Sequence, residues 1–160
     1  MEINEITGDV LDASVKIHKM FGPGLLESVY EHLLAMELCK RGHLVERQKS
    51  VSFRYEDVLF EGAFRMDLLV DGRVVVELKS TSAMHPVYAK QVRTYLVLAG
   101  LEVGLLVNFG MPTLKEGFVR VINSKTNLCA SASLRDAMSD DAGVSVTLRD
   151  VNFIKGVDEQ

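Results

Sequence analysis

The sequence predicts an α/β protein built around a mixed sheet, and three observations carry that prediction. Residues 64–79 form two β-rich apolar runs on either side of Asp71-Gly72, the strongest short-range hairpin signal a sequence gives. Apolar residues recur at helical spacing in three other stretches, two before the hairpin and one after it. Residues 103–109 are a nearly continuous apolar run, as suits a buried central strand. The order helix, helix, strand, hairpin, helix, strand, strand puts helices against both faces of the sheet.

The first helix is expected over residues 3–21, with Ile6, Val10, Ala13, Ile17 and Met20 near helical spacing and Gly22 available beyond its end. Gly22-Pro23-Gly24 breaks the chain. A second helix follows over about residues 25–41, stopped by Gly42. Val51, Phe53 and Tyr55 alternate as a strand does, and Glu56-Asp57 is a turn signal. After the hairpin, Pro86 suits the first turn of a third helix that runs to about Ala99, with Gly100 past its end. Residues 117–123 read as a last strand. Residues 1–123 are therefore read as one domain. Residues 124–160 are read as a C-terminal extension, partly ordered or packed on the core, with a strand-like alternation at 144–148, one possible helical turn at 134–138 and a polar loop at 139–143.

The register of the hairpin decides the site. A two-residue loop sets Asp67 across from Val76 and mixes charge with hydrocarbon on both faces. A three-residue loop, Val70-Asp71-Gly72, gathers Phe64, Met66, Leu68, Val70, Val74, Val76 and Leu78 on one face, leaving Arg65, Asp67, Leu69, Val75, Glu77 and Lys79 on the other. The second register is expected, because slipping by one residue buries charges among seven apolar side chains. It also brings Asp67, Glu77 and Lys79 together. Two carboxylates and an ammonium on an apolar sheet either serve a cation or an anionic substrate, or reduce to a cross-strand ion pair from Lys79 to Asp67 or Glu77.

At 160 residues, 48% hydrophobic and 25% charged, the composition is that of a globular chain. No apolar run reaches membrane-spanning length and the first residues lack the basic and apolar regions of a signal peptide, so a cytoplasmic protein is expected. Cys39 and Cys129 sit in no metal or redox spacing and are expected to be reduced thiols. A net charge of −4 and a pI near 5.6 argue against gripping nucleic acid by bulk electrostatics.

Glu27 and Tyr30, three apart on the second helix, share a face, as do Gln91 and Tyr95, four apart on the third, with Tyr88 just before them. Each has an ordinary alternative: an acid favoured by the helix dipole, a half-buried tyrosine, a solvated glutamine. Their elements flank the hairpin, so both helices are expected to present them to Asp67, Glu77 and Lys79.

These residues carry a resemblance. Gly24-Leu-Leu-Glu27-Ser-Val-Tyr30 resembles the signature of the GxxExxY proteins, a family placed in the PD-(D/E)XK nuclease superfamily. Asp67, Glu77-Leu78-Lys79 and Gln91-Val-Arg-Thr-Tyr95 are similar to that superfamily's acid, its E-x-K and the Q-x-x-x-Y of its exonuclease-like branch; Met66 stands where the superfamily name has proline. The resemblance spans about residues 5–123 and implies a restriction-endonuclease-like core, α-β-β-β-α-β, with a mixed central sheet between helices. It implies a metal-dependent nuclease, in which Glu27, Asp67, Glu77 and the Leu78 carbonyl hold Mg²⁺ or Mn²⁺, hard ions suited to oxygen ligands. Lys79 then orients the attacking water and stabilises phosphoryl charge, and Gln91 and Tyr95 position water, phosphate or the carboxylates. Lys90, Arg93 and His85 are nearby candidates for phosphate contact, each with a solvated or capping alternative. The implied partner is DNA or RNA, with no membrane; a homodimer or a protein partner stays open. The alternative reading is a non-catalytic nucleic-acid- or protein-binding module that keeps the nuclease fold. Completeness of the Asp67, Glu77, Lys79 set favours the enzyme, and the lack of a Lys/Arg cluster favours the binder.

Overall fold

The computed structural model describes residues 1–124. The expected features at 134–138, 139–143 and 144–148, Cys129 and the C-terminal extension lie outside the described residues.

Helix α1 (Ile3–Phe21) is opened by reciprocal bonding between Glu2 and Glu5, in which the Glu2 N–H donates to Glu5 Oε2 at 2.7 Å. It buries Ile6, Val10, Ala13 and Ile17. Helix α2 (Glu27–Lys40) follows the Gly22-Pro23-Gly24 break and packs on α1. Strands β1 (Val45–Tyr55), β2 (Val58–Val70) and β3 (Val74–Lys79) form an antiparallel meander. Helix α3 (Pro86–Ala99) crosses over to β4 (Val103–Asn108), parallel to β3; a short helix α4 (Leu114–Gly117), which the sequence reading did not anticipate, leads to β5 (Phe118–Ile122), antiparallel to β4. The result is a five-stranded mixed sheet in the order β1-β2-β3-β4-β5, flanked by helices: the restriction-endonuclease-like architecture. One face packs under α1 and α2 through Leu68, Val70, Val76, Leu78 and Val107, and the other under α3 through Leu69, Val75, Val92, Leu96 and Leu106.

The hairpin corrects the expected register in two respects. Its loop is Asp71-Gly72-Arg73, one residue downstream of the expected Val70-Asp71-Gly72, and the ladder pairs Val70 with Val74 and Leu68 with Val76. Asp71 and Gly72 take φ of +51° and +65°, the left-handed region that Asp tolerates and Gly favours, and the Arg73 N–H donates to the Val70 carbonyl at 3.0 Å. Even residues still face even, so Leu68, Val70, Val74, Val76 and Leu78 share a face as expected.

The second correction concerns Phe64 and Met66, which belong to the α3 side with Leu69 and Val75. Val45 packs on the α1/α2 side, whereas Val51, three full alternations along β1, packs on the α3 side. Both strands therefore exchange faces between these points. The ladder skips Gln48 and Asp67 there, and Gln48 has φ of +49°. Alternation of hydrophobicity assumes an uninterrupted pleat, and this local reversal breaks it.

Candidate active site

The site forms at the carboxyl end of β3, where the β1-β2 ribbon twists away. Alternation past Val75 turns Glu77 and Lys79 toward the α3 side. Glu77 is 3% exposed. Its Oε1 accepts from Lys79 Nζ at 2.5 Å, and its Oε2 is buried with no hydrogen-bond partner. Lys79 Nζ also donates to the Leu78 carbonyl at 3.0 Å and lies 5.5 Å from the Tyr88 ring centre. Of the two ion pairs that the alternative reading allowed, the one from Lys79 to Glu77 forms, and it runs along β3 and not across strands. Asp67 is brought in by β2: its Oδ2 accepts the Leu78 N–H at 2.8 Å and its Oδ1 accepts from Gln48 Nε2 at 3.2 Å.

Glu27 is the exposed first residue of α2 and reaches the same region, where the charges of Lys79 and Asp67 and the Ser80 backbone act on its carboxyl. Tyr30, expected beside it, turns the other way. It is fully buried, stacks on Phe109 at 4.3 Å, donates its hydroxyl proton to the Gly22 carbonyl and accepts the Leu25 N–H. Its work is to fix the loop from which α2 starts. Ser80 Oγ donates to the Leu25 carbonyl at 2.8 Å, tying that loop to the end of β3. From α3, Gln91 Nε2 donates to the Tyr95 hydroxyl at 2.7 Å, and the Tyr95 ring stacks on Phe64 at 4.3 Å. Arg93, a candidate phosphate contact, instead donates to the Ile122 carbonyl on β5, and His85 sets its ring edge-on to Tyr88.

The electrostatics follow from crowding acids in a poorly hydrated place. Burial, and then the charge of Asp67, push the Glu77 carboxyl up to about 7; Lys79 opposes but does not cancel them. Burial raises Asp67, held back by the Leu78 N–H and Lys79. Burial also raises Glu27, against the pull of Lys79. Lys79 itself goes up, because its bond to Glu77 and the charges of Glu77, Glu27 and Asp67 outweigh the burial that works against its charge. Burial raises Tyr95.

Two contributors escaped the sequence reading. Glu31, 5% exposed and one turn after Glu27, accepts from Arg47 Nε at 2.9 Å and Gln48 Nε2 at 2.6 Å. Its i, i+4 spacing from Glu27 was the available signal. Asn108, fully buried at the end of β4, accepts the Thr81 N–H and donates to the Thr81 carbonyl, fixing the loop that follows Lys79. A polar residue closing an apolar strand was its only trace.

Among the described residues, no three His, Cys, Asp or Glu side chains converge closely enough to hold a metal ion by themselves. The expected trio of Glu27, Asp67 and Glu77 is not a closed cage. The donors nonetheless fit a hydrated hard cation: Glu77 Oε2 is buried without a partner, Asp67 stands beside it, and the Leu78 carbonyl adds a third oxygen. Mg²⁺ keeps several waters and needs few protein ligands.

A five-stranded mixed sheet with this acid, acid and lysine group at the end of its central β3 defines a restriction-endonuclease-like α/β protein. The family model for the PD-(D/E)XK nuclease superfamily matches residues 4–121, well over half of the chain, and the chain belongs to that superfamily. No curated protein and no solved structure matches it. Among the described residues no helix is long and apolar enough to cross a membrane.

Proposed function

We propose that the protein is a metal-dependent nuclease that hydrolyses phosphodiester bonds of DNA or RNA in the cytoplasm, with residues 1–123 as the nuclease unit and 124–160 as an extension. The observation that carries this reading is Glu77: a carboxylate held 3% exposed, with one oxygen unpartnered and a second acid beside it, is costly unless a cation completes it. Glu77, Asp67 and the Leu78 carbonyl would hold Mg²⁺ or Mn²⁺, with Glu27 contributing from α2. When bound, such a cation polarises the scissile phosphate and lowers the pKa of a coordinated water. Lys79, paired with Glu77 at the end of β3, would meet the charge that gathers on the phosphoryl oxygens. Tyr95, oriented by Gln91 and by Phe64 beneath its ring, directs its hydroxyl toward water or phosphate.

Within the superfamily we assign the chain to the GxxExxY group. The signature residues support this with separate physical jobs: Gly24 takes φ of +129°, a conformation that L side chains rarely adopt; Glu27 faces the site; Tyr30 locks the loop between them. One observation favours a non-catalytic binding module instead, namely that Lys79 commits two of its three donors to Glu77 and the Leu78 carbonyl. The test is cleavage of labelled single- and double-stranded DNA and RNA with Mg²⁺, Mn²⁺ or EDTA, comparing wild type with Lys79→Ala. Metal-dependent cutting that Lys79→Ala abolishes supports the nuclease. Equal cutting by both proteins, or none by wild type, turns the assignment to the binding module.

A further inference from the structure

The reversal of the β1-β2 ribbon at Gln48 coincides with a hydrogen-bonded chain that ends on Asp67. Gln48 holds φ of +49° inside a strand, a strained conformation for a non-glycine residue that persists only where its surroundings enforce it. Its side chain supplies the reason. Gln48 Nε2 donates one proton to Glu31 Oε2 at 2.6 Å and one to Asp67 Oδ1 at 3.2 Å. The orientation of the amide is fixed by chemistry, since both partners are carboxylates and only the NH₂ end can donate to both. Glu31 is held in turn by Arg47 Nε at 2.9 Å, and Arg47 Nη1 lies 3.0 Å from His32 Nδ1.

Glu31 is paired with Arg47, yet its charge still adds to the upward push on the Asp67 carboxyl. With the Leu78 N–H on Oδ2, the carboxylate is gripped at both oxygens, once from its neighbour strand β3 and once from β1. A carboxylate fixed in this way keeps lone pairs on each oxygen aimed at a defined point. Aspartate or glutamate at 48 would add a third negative charge, and alanine would leave Asp67 held at Oδ2 alone, by the Leu78 N–H.

We propose that Gln48, held by Glu31, is a positioning residue that fixes Asp67 for cation binding, and that the left-handed backbone of β1 exists to deliver it. The inference rests on the metal-site reading above. Neither Gln48 nor Glu31 is assigned contact with the cation or the substrate; both act through Asp67. Partners of metal-ligating carboxylates are worth about 10–100-fold in metal affinity when removed.

The test uses the full-length protein with Mn²⁺ as the probe. Affinity is read by calorimetry and by the electron paramagnetic resonance signal of free Mn²⁺, with thermal melts in EDTA as the check on folding. Gln48→Gly keeps a backbone at ease with φ of +49° and deletes the side chain with its amide, and Gln48→Asn, also tolerant of that backbone, shortens the reach; Glu31→Ala removes the support behind it. Gln48→Gly is expected to weaken Mn²⁺ binding about tenfold or more with melting close to wild type, and Glu31→Ala to weaken it less while melting lower, because Arg47 loses its partner. On a cleaved oligonucleotide the loss falls on kcat and on the Mn²⁺ concentration for half-activation, with KM for the oligonucleotide unchanged. If Gln48→Gly does not fold, Gln48→Asn carries the same expectation. Wild-type Mn²⁺ binding that the folded Gln48 variants leave within twofold overturns this inference alone. A wild type that binds no Mn²⁺ overturns the metal-site reading and this inference with it.

Discussion

Replacing Glu77 by its isosteric amide, Glu77→Gln, is expected to stabilise the metal-free protein while removing its response to metal. The carboxyl is raised from 4.5 to about 7, so between those values the folded protein binds a proton that the unfolded chain has released. Stability contributed by this group therefore falls as pH rises through that window. At about 1.4 kcal/mol per pKa unit, ionised Glu77 costs the fold about 3 kcal/mol at pH 8 and only about 1 kcal/mol at pH 5. In the variant the amide oxygen still accepts from Lys79, and its NH₂ takes the place of Oε2, which has no partner. Whatever that placement costs is the same at both pH values and cancels in the comparison. With about 2–4 °C per kcal/mol for a chain of this size, the melting temperature of the variant relative to wild type should rise by several degrees between pH 5 and pH 8 in EDTA. Mn²⁺ should then raise the melting temperature of wild type and leave the variant unmoved. A difference between the two proteins that is the same at pH 5 and pH 8 would refute the claim that Glu77 is a strained, ionisable carboxylate. A variant that Mn²⁺ stabilises as much as wild type would refute its place as a metal ligand.

Other outcomes follow from the same geometry. His43, whose side chain is fully buried, donates to Asp71 at 2.7 Å and to Asp9 at 3.1 Å. Burial works against its charge, but the two acids outweigh burial and raise its pKa above 6.5. Asp71 feels burial the other way, yet its bonds to His43 and the Leu44 N–H hold it below 3.8. The His43 contribution is complete below about pH 6.5 and fades as pH rises through the raised value; that of Asp71 is complete above about pH 3.8 and fades in acid. His43→Phe should thus cost about 3 kcal/mol in urea melts near pH 5.5 and less near pH 9, and a loss that grows with pH would contradict the ion-pair account. Tyr95→Phe keeps the stack on Phe64 but loses the bond from Gln91, so cleavage should slow by tenfold or more while stability changes by about 1 kcal/mol; an unchanged rate would limit Tyr95 to packing. Tyr30→Phe should cost about 1–3 kcal/mol, because the Gly22 carbonyl and Leu25 N–H lose their partner, and should loosen the start of α2; a melt identical to wild type would remove its locking role.

Much of the site was legible because it lies on regular elements. Glu77 and Lys79 are two apart on one strand, and Gln91 and Tyr95 are four apart on one helix, so period alone puts each pair on a shared face. Tyr30 misled for the same reason: Glu27 and Tyr30 are neighbours on α2, but the boundary between site and core runs between them. Glu31 was hidden because its partners, Arg47 and Gln48, come from a different element.

The sequence by itself determined the three long helices and the strands, their order and the even-with-even pairing of the hairpin, because those depend on local periodicity and on the cost of burying charge. Only the tertiary structure decided where the ribbon changes faces. The left-handed Gln48 is stabilised by carboxylates from α2 and β2, which no window along β1 contains. It also decided the charge state of the site. The sequence sets Glu77 among charges on an apolar sheet, but only the fold withdraws water from it with Asp67 alongside, and from that juxtaposition come its unpartnered oxygen and its raised pKa.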